Sequence, residues 1–401
     1  RVLFENFISL SSLQLINYIN PFITLPYLVR VLGVEGYGKY TFAYSFMLFF
    51  QSFIEYGFNF TATREIAKKG DDYQFCANYF NIIFFSKQFL LLISLVIYVL
   101  VIFLFSPFKQ HHLLFFSSFL QLTVYSQFPE WFFMGFEKMK IITALNLVVR
   151  LLFTVSIFFF IKKPEHSFII FLLYTFGYLI VNFYSFHYIN KLINFRFKFP
   201  GFNAVLKNLR YSFNIFMVNF VPMLYNNATT FILGLLSTNY YVGIYDAAKK
   251  LIEIGVTVIS ILSRVFYPFL NRFNDKFSLY KRISLFTGLV FSFFFLILSK
   301  FISDIIFGEA FSQSVILIKI MAISVFFVSL YSAFGTNYLM IHKHDKVLMN
   351  LTLLVSMIGF ILAFPLIIYF NAVGASINLT LSRVILGAGT YLFYIKVKSL
   401  R

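Results

Sequence analysis

One stretch of the sequence decides the fold class, and it reads FLLLISLVIYVLVIFLF over residues 89–105. Ser94 is the one polar interruption in this run. An apolar run of about 20 residues matches the thickness of the hydrocarbon core of a bilayer when it forms a helix. Similar runs recur along the chain, for example at residues 153–161 and 288–298. The pattern predicts a series of transmembrane helices.

The composition of the whole chain supports this prediction. Of the 401 residues, 60% are hydrophobic and only 12% are charged, and the mean hydropathy is +0.82. Soluble domains carry roughly 25% charged residues, which they need for solvation. We therefore expect an all-α integral membrane protein.

About twelve spans can be placed on the sequence, and the connectors between them are short. This favours two six-helix bundles: an N-terminal bundle over residues 1–190, a basic cytoplasmic linker over 191–208 and a C-terminal bundle over 209–401. The predicted spans cover residues 5–30, 37–60, 80–105, 112–134, 141–161, 167–189, 209–236, 242–268, 283–303, 311–340, 347–370 and 373–395.

The distribution of Lys and Arg among the connectors predicts the orientation. Cytoplasmic loops of membrane proteins carry the excess of these residues. With the N-terminus in the cytoplasm, the opposite side holds only six of them: Arg30, Lys39, Lys109, Lys162, Lys163 and Lys300. Most of the others fall in cytoplasmic loops, so both termini are expected in the cytoplasm. Because topology and lipid head groups account for these cations, the net charge of +18 does not indicate a nucleic-acid partner.

Two related halves are suggested by a motif that occurs twice, about 205 residues apart. Gly38-Lys39-Tyr40 with Ala43 and Gly243-Ile244-Tyr245 with Ala248 both read Gly-x-Tyr-x-x-Ala, each near the start of a span. Pro21 in the first span has a counterpart in Pro222 in the seventh. Internal repeats are common in transporters, with the substrate path at the repeat interface.

The eighth span carries the most informative polar stripe. Asp246, Lys249, Lys250 and Glu253 lie at i, i+3, i+4 and i+7, so they share one face of a helix. Arg264 lies 18 residues beyond Asp246, which is five helical turns or about 27 Å. This face is expected to line a hydrated cavity or to pair with another helix. Mutual neutralisation that only fixes helix packing is the simpler alternative, and Arg264 could extend to the membrane surface instead.

Further charged residues inside predicted spans need a reason, because such charges are costly in a bilayer. Those on other spans are Glu55, Lys87, Arg150, Lys319 and Arg383. Buried cations outnumber buried anions, which suits an anionic substrate such as a diphosphate. We therefore predict substrate-binding cations at Lys87, Arg150, Lys249, Lys250, Arg264, Lys319 and Arg383. Glu55, Asp246 and Glu253 are predicted to carry coupling protons or to form ion pairs.

Polar stripes on the first and seventh spans are candidates for contacts with sugar hydroxyls or for hinges. They contain Gln14, Asn17, Pro21, Asn219, Pro222 and Asn226. Hydrogen bonds between helices would use the same residue types equally well.

Signals of soluble enzymes are absent from the sequence. It contains no Walker A loop, no G-x-S-x-G and no H-E-x-x-H. Cys76 is the only cysteine, so a disulfide within the chain and a C-x-x-C site are both excluded. No cofactor, no metal and no enzymatic activity are expected. Without a nucleotide site, any energy that the protein uses must come from an ion gradient, a membrane potential or the gradient of a substrate.

The first seventy residues carry a specific resemblance to a known family. They resemble the opening of O-antigen flippases of the Wzx family, within the multidrug/oligosaccharidyl-lipid/polysaccharide exporter superfamily. The family-like positions include Arg30, Gly33, Gly57 and Arg64. The matching segments are Phe7-Ile8-Ser9-Leu10, Gln14, Asn17-Tyr18, Pro21-Phe22, Thr24-Leu25-Pro26-Tyr27-Leu28, Arg30-Val31-Leu32-Gly33, Gly36-Tyr37-Gly38, Tyr56-Gly57-Phe58-Asn59 and Thr61-Ala62-Thr63-Arg64-Glu65-Ile66-Ala67.

This resemblance implies two six-helix bundles around a cationic cavity in the bacterial inner membrane. It also implies that an undecaprenyl-diphosphate-linked repeat unit is moved from the cytoplasmic to the periplasmic leaflet by alternating access with ion coupling. Membrane lipid is one expected partner, and a polysaccharide polymerase and a chain-length regulator are others.

Three alternatives can be weighed on the sequence. A multidrug exporter of the same superfamily would favour an acidic cavity, and a lipid II flippase has extra helices. An O-antigen polymerase, the rival from another class, usually carries a large periplasmic loop, whereas every predicted periplasmic connector here is short.

Overall fold

The computed structural model describes the backbone of residues 2–399 and the side chains of residues 23–399, apart from Tyr225 and Asn274. Over this described range the regular structure is helical and contains no strand. The chain is an all-α protein, as its hydropathy pattern predicts.

The first half of the chain contains eight α-helices within the described residues. They are α1 (Val2–Glu55), α2 (Phe58–Lys69), α3 (Tyr73–Leu104), α4 (Ser106–Lys109), α5 (His112–Tyr125), α6 (Glu130–Gly135), α7 (Met139–Phe160) and α8 (Ser167–Ile193).

The second half follows the same plan, with a longer interruption in its first span. Its helices are α9 (Phe202–Phe220), α10 (Met223–Asn226), α11 (Ala228–Leu236), α12 (Asn239–Arg272), α13 (Phe277–Ile306), α14 (Ser314–Leu330) and α15 (Asp345–Ser399). A π-helical segment, Tyr331–Met340, continues α14. Short 3-10 turns cover Pro164–His166, Asn274–Lys276 and Glu309–Phe311.

The two longest helices each contain two membrane spans. α1 is broken at Gly33, where φ is 67°, and α15 is broken at Asn371, where φ is 48°. Glycine adopts this left-handed region without a steric penalty, and asparagine tolerates it better than most residues. Counting these breaks, the helices account for the twelve predicted spans. Seven of the described helices are long and apolar enough by themselves to cross a membrane.

Two predicted spans are interrupted in the structure. The helix predicted over 112–134 is divided into α5 and α6 around Pro129, and the helix predicted over 209–236 is divided into α9, α10 and α11 around Pro222. Proline lacks the backbone N–H that a continuous helix requires, so the helix stops at these points.

The residues form two compact units. Unit 1 comprises Arg1–Leu32 and Ala43–Phe220, and unit 2 comprises Gly33–Phe42 and Val221–Arg401. α9 therefore belongs to unit 1. The start of the second span belongs to unit 2, although the rest of that helix belongs to unit 1.

Aromatic side chains fill much of the interior of each unit. In unit 1, the Phe46 ring lies 4.6 Å from Tyr98 and 4.9 Å from Phe108, measured between centroids. In unit 2, Tyr280, Phe334, Tyr338 and Tyr394 belong to one buried cluster. Because lipid is as apolar as these rings, close packing rather than exclusion of water holds such interiors together.

The polar residue within the most apolar run is satisfied locally. The Ser94 hydroxyl, which interrupts the most apolar stretch, donates a 2.8 Å hydrogen bond to the Leu90 carbonyl one turn earlier. In lipid an unsatisfied hydroxyl would be costly, so this bond makes the serine tolerable.

Candidate transport site

The two copies of the repeated motif meet within unit 2. A Cβ atom on Gly38 would overlap the carbonyl of Asn239, and one on Gly243 would overlap the carbonyl of Val34. The start of the second span therefore crosses α12 backbone to backbone, and glycine is required on both sides. Small residues allow this kind of close approach in membrane helices.

Next to this crossing, Asp246 on α12 is held by three groups. The Tyr37 hydroxyl donates to Asp246 Oδ2 at 2.5 Å, and Thr41 Oγ1 donates to the same oxygen at 3.4 Å. Lys250 Nζ lies 3.1 Å from Asp246 Oδ2 and donates to the Tyr37 oxygen at 2.7 Å. Asp246 is buried, so these contacts supply the compensation that a buried carboxylate requires.

One to two turns further along α12, Glu253 pairs with Arg383 of α15. The Arg383 guanidinium donates to Glu253 Oε1 and, at 3.3 Å, to the Ser324 hydroxyl of α14. Arg383 is buried, and Glu253 is half-buried. This ion pair joins three helices of unit 2.

Lys249 occupies the same face but contacts no carboxylate at ion-pair distance among the described side chains. Its Nζ donates to the Asn226 carbonyl at 2.5 Å. This carbonyl is at the end of α10, in the interrupted seventh span, where a helix end leaves carbonyl oxygens unpaired. Lys249 is half-buried.

These residues form a cluster with a surplus of positive charge, which we call the α12 cluster. It contains two carboxylates and three cations: Asp246, Glu253, Lys249, Lys250 and Arg383. The cluster can therefore bind an anionic ligand through the ammonium group of Lys249, which forms no ion pair with a carboxylate of the described side chains.

Unit 1 has a charge cluster of its own. Lys87 of α3 is buried, and its Nζ lies 3.0 Å from Glu55 Oε1 and 3.1 Å from Oε2. It also donates to the Ser126 carbonyl at 3.0 Å, in the gap between α5 and α6. Lys87 therefore points into unit 1, where it connects the Glu55 carboxylate to the break between α5 and α6.

Glu130 lies beside this ion pair and is absent from the residues singled out by sequence. Its carboxylate is within electrostatic range of both Glu55 and Lys87. Glu130 lies inside the predicted span 112–134, so its charge is itself a signal that could have identified it. Its position beside Pro129, at the start of α6, makes it resemble a connector residue.

Arg150 of α7 lies among tyrosines of α8. Its guanidinium is within electrostatic range of Tyr174 and Tyr178, and the Tyr178 ring lies 4.9 Å from the Tyr125 ring. Arg150 is half-buried. The arrangement combines a cation with aromatic hydroxyls on neighbouring helices of unit 1.

The structure does not bring the other two predicted cations into either cluster. Arg264 and Lys319 are exposed. Neither has a hydrogen bond or an ion pair with any side chain in the part of the chain that the structure describes. A residue inside a predicted span is therefore not always buried, because burial also depends on which face of the helix the residue occupies.

The sequence of the chain matches a known protein family. The sequence profile of the family described as "Polysaccharide biosynthesis protein" matches residues 3–274. The match covers more than half of the 401 residues. The chain belongs to this family.

Related proteins can be aligned with this chain over nearly all of its length. A protein from Escherichia coli (strain K12) named "Putative O-antigen transporter" is 27% identical over 389 residues, which cover 94% of the chain and 92% of the relative. Solved structures share its fold at low sequence identity. The lipid II flippase MurJ, in an inward closed conformation, aligns with a TM-score of 0.70 and 16% identity, covering 98% of this chain and 87% of MurJ.

A transporter of the MATE family, from the MOP superfamily, aligns equally well in its inward-facing conformation. The TM-score is 0.70 at 10% identity, covering 98% of each chain. The polysaccharide biosynthesis family member thus has the fold of the MOP superfamily, with twelve transmembrane helices in two bundles. The relative and the two solved structures named here are described as transporters or a flippase.

Three of the positions on which the sequence resemblance rests have structural roles within the described residues of this chain. Gly57 has φ of 74° and precedes α2, and an added Cβ would lie 2.7 Å from Ile215 Cγ2. Arg64 donates to the Tyr211 hydroxyl, which donates to Glu65 at 2.6 Å. Arg30 is exposed and precedes the break at Gly33.

The predicted hinge and sugar-contacting positions are only partly covered. Gln14, Asn17 and Pro21 lie outside the residues whose side chains the structure describes. Asn219 is exposed at the end of α9, and its side chain donates to the Ile215 carbonyl at 2.9 Å. Pro222 precedes α10 as its N-cap residue. Asn226 is the last residue of α10, and its carbonyl accepts a hydrogen bond from Lys249.

Proposed function

We propose that this protein is a flippase for undecaprenyl-diphosphate-linked O-antigen, or related polysaccharide, repeat units. It moves them from the cytoplasmic to the periplasmic leaflet of the bacterial inner membrane. The family, the fold and the name of the Escherichia coli relative support a lipid-linked polysaccharide as cargo.

The α12 cluster is the observation that carries the proposal. Its three cations exceed its two carboxylates, and Lys249 contacts a carbonyl instead of a carboxylate. A diphosphate is a strong hydrogen-bond acceptor and would replace that carbonyl as the partner of the ammonium group. Arg383 lies beside it, although its charge is shared with Glu253.

Ion coupling by a carboxylate of either cluster is part of the same proposal. Glu55, Asp246 and Glu253 each form an ion pair with a cation in the structure. When the diphosphate competes for that cation, the carboxylate is released to take up a proton. Exchange of partners between substrate and carboxylate would link binding to proton movement during alternating access.

Both termini are expected in the cytoplasm, as the Lys and Arg distribution predicts. Gln14, Asn17, Pro21, Asn219, Pro222 and Asn226 remain candidates for sugar contacts or hinges, and Arg264 and Lys319 for cations that meet the substrate. A polysaccharide polymerase and a chain-length regulator remain the expected partners.

The test is complementation of a flippase-deleted strain of the native host, scored by the lipopolysaccharide ladder on a gel. The wild-type gene should restore the ladder. Lys249→Gln should reduce the ladder at least about tenfold at equal protein level, because one charge-assisted hydrogen bond of about 1.5 kcal/mol or more is lost. Lys249→Arg, which keeps the charge, should retain more activity.

The matched control is Lys276→Gln, which removes a lysine whose side chain is exposed and pairs with Asp275. It should leave the ladder unchanged. Failure of the wild-type gene to restore the ladder would reject the flippase assignment. If the wild type works and Lys249→Gln is equally active, the assignment stands, but the α12 cluster is not the phosphate site.

A further inference from the structure

The segment that follows α8 has a regular alternation of aromatic and basic residues. It runs from Asn194 to Gly201 without helical structure, and left-handed residues bound it, with φ of 45° at Asn194 and 88° at Gly201. Between them the sequence reads Phe195-Arg196-Phe197-Lys198-Phe199. In extended backbone, alternate side chains point to opposite sides. We call residues 194–201 the basic strap.

The basic strap is docked along α3, which is one of the helices apolar enough to cross a membrane. Ring centroids lie 4.6 Å apart for Phe195 and Phe80, and 4.9 Å apart for Phe197 and Phe84. The ring of Phe199, the third phenylalanine of the strap, lies 5.3 Å from the ring of Phe85 on α3, measured between centroids.

One side chain of α3 fixes the backbone of the strap. Asn81 Nδ2 donates to the Arg196 carbonyl at 2.9 Å, and Asn81 Oδ1 accepts from the Lys198 N–H at 3.4 Å. Asn81 is buried. These two hydrogen bonds hold the backbone of the strap against α3. The side chains of Arg196 and Lys198 are both exposed.

α9 continues the surface with three distinct faces. The buried face consists of Val205, Asn208, Ser212 and Phe216 and lies inside unit 1, to which α9 belongs. An exposed apolar face follows at helical spacing and consists of Phe202, Leu206, Phe213 and Met217. A second exposed face holds the polar residues Asn203, Lys207, Arg210 and Asn214, and Tyr211 and Val218 are also exposed beside it.

Over the first half of α9, where the seventh span begins, this division of faces is typical of a helical segment that lies in a membrane interface. Such helices combine a basic polar face with an apolar face bearing Phe or Leu. α9 is not among the helices that are apolar enough to cross a membrane alone. Phe202 is 62% exposed and Phe197 58% exposed, which is unfavourable in water but favourable in the acyl layer.

Charge distinguishes this surface from an ordinary lipid-facing one. Residues 191–210 contain five cations and no Asp or Glu: Lys191, Arg196, Lys198, Lys207 and Arg210. All five are exposed. No side chain in the described part of the chain forms an ion pair or hydrogen bond with their charged groups. Cations that the protein leaves unpaired beside exposed phenylalanines complement a phosphate on top of an acyl chain.

We propose that the basic strap and the first half of α9 form a binding surface for the phosphate head groups of anionic phospholipids. The phenylalanines of the strap and α9 enter the acyl layer, and the four cations Arg196, Lys198, Lys207 and Arg210 bind the phosphates. The inference concerns the lipid that surrounds the protein and does not depend on the cargo of the flippase.

The test measures which lipids the full-length protein retains. Protein purified in mild detergent is offered an equal mixture of phosphatidylglycerol and phosphatidylcholine, and retained lipid is quantified by native mass spectrometry. The wild type should prefer phosphatidylglycerol. The variant Arg196→Gln, Lys198→Gln, Lys207→Gln, Arg210→Gln should lose about fivefold or more of this preference, the effect of one interfacial cation.

Two further variants separate specific binding from general charge. The exchange variant Arg196→Lys, Lys198→Arg, Lys207→Arg, Arg210→Lys keeps every charge and should keep the preference. A control with four exposed cations removed from other connectors, Arg272→Gln, Arg282→Gln, Lys343→Gln, Lys346→Gln, should also keep it. Circular dichroism establishes that each variant is folded.

Three outcomes would overturn the proposal. The first is a wild type without preference, and the second is an equal loss in the control variant, which would make the effect one of overall charge. The third is displacement of phosphatidylglycerol by equimolar undecaprenyl diphosphate in the wild type but not in the glutamine variant. That result would assign the surface to the polyprenyl diphosphate instead.

Discussion

At the scale of single residues, the spacing of charges along α12 predicts their shared face and one ion pair, but not the partner of Glu253. Asp246 and Lys250 pair with each other, as their i, i+4 spacing predicts. Glu253 pairs with Arg383, which is 130 residues away in sequence. No local pattern could have supplied that partner, because it depends on how α15 packs against α12.

Arg383→Gln should be the most destabilising of the single charge removals in unit 2. It leaves Glu253 without its cation and removes the bond to Ser324. Removing one partner of a fully buried ion pair costs about 3–5 kcal/mol, and the loss here should be smaller because the Glu253 side chain is 37% exposed. We expect a clear fall in the melting temperature of the detergent-purified protein, measured by intrinsic fluorescence.

Lys319→Gln is the matched control, because Lys319 is also a span cation but is exposed. Its melting temperature should stay close to that of the wild type. The double variant Glu253→Gln, Arg383→Gln should recover part of the loss, because no isolated charge remains. Equal melting temperatures for Arg383→Gln and Lys319→Gln would contradict the buried pair.

Tyr37→Phe tests the other carboxylate of the α12 cluster. It removes the hydroxyl that donates to Asp246 at 2.5 Å while keeping the buried ring. Losing a hydrogen bond to a buried charged group costs about 1–3 kcal/mol. The melting temperature should fall, whereas Tyr73→Phe, at a residue that is 52% exposed, should have no effect.

At the scale of helices, the repeated Gly-x-Tyr motif was visible in the sequence, but its purpose was not. The shared offset predicted two related halves. That the two glycines face each other follows only from the packing, since Gly38 approaches Asn239 and Gly243 approaches Val34. Pro222 was predicted as a hinge, but the helix break near Pro129 was missed, because hydropathy records the length of an apolar segment and not its continuity.

Gly38→Ala and Gly243→Ala should each destabilise the crossing. The new methyl group would overlap a backbone carbonyl, which cannot move aside as a flexible side chain can. Overpacking of this kind costs about 1–3 kcal/mol or more. Reduced yield of folded protein on size-exclusion chromatography is the expected result.

Gly70→Ala provides the comparison for the glycine variants. Gly70 has φ of −59°, and the nearest atom to an added Cβ, the Ile66 carbonyl oxygen, lies at 3.2 Å. Alanine can adopt this conformation, so the yield should match that of the wild type. If all three variants behave alike, the close crossing is not what the glycines serve.

At the scale of the whole molecule, composition and hydropathy were sufficient for the fold class and the span count. The charge clusters were predicted less completely. Sequence identified Lys87 and Glu55 separately, and the structure joins them, while Glu130 was missed beside both. Such clusters arise from residues on different helices, so they become visible only when the helices are packed.

The orientation of the chain can be tested with its single cysteine removed. Cys76→Ser provides a background for new cysteines, because Cys76 is the only one. In intact cells, Lys163→Cys should react with a membrane-impermeant maleimide, and Lys343→Cys should react only after the membrane is opened. The reverse pattern would place the termini in the periplasm.

The division of the second span between the two units has a consequence for recombination. Residues Gly33–Phe42 belong to the unit that otherwise begins at Val221. A chimera that joins the first 220 residues of one homologue to the remainder of another would therefore carry ten residues of the wrong parent into its second unit. Crossovers that also exchange residues 33–42 should be tolerated better, so related genes are expected to inherit this short segment together with their distal half.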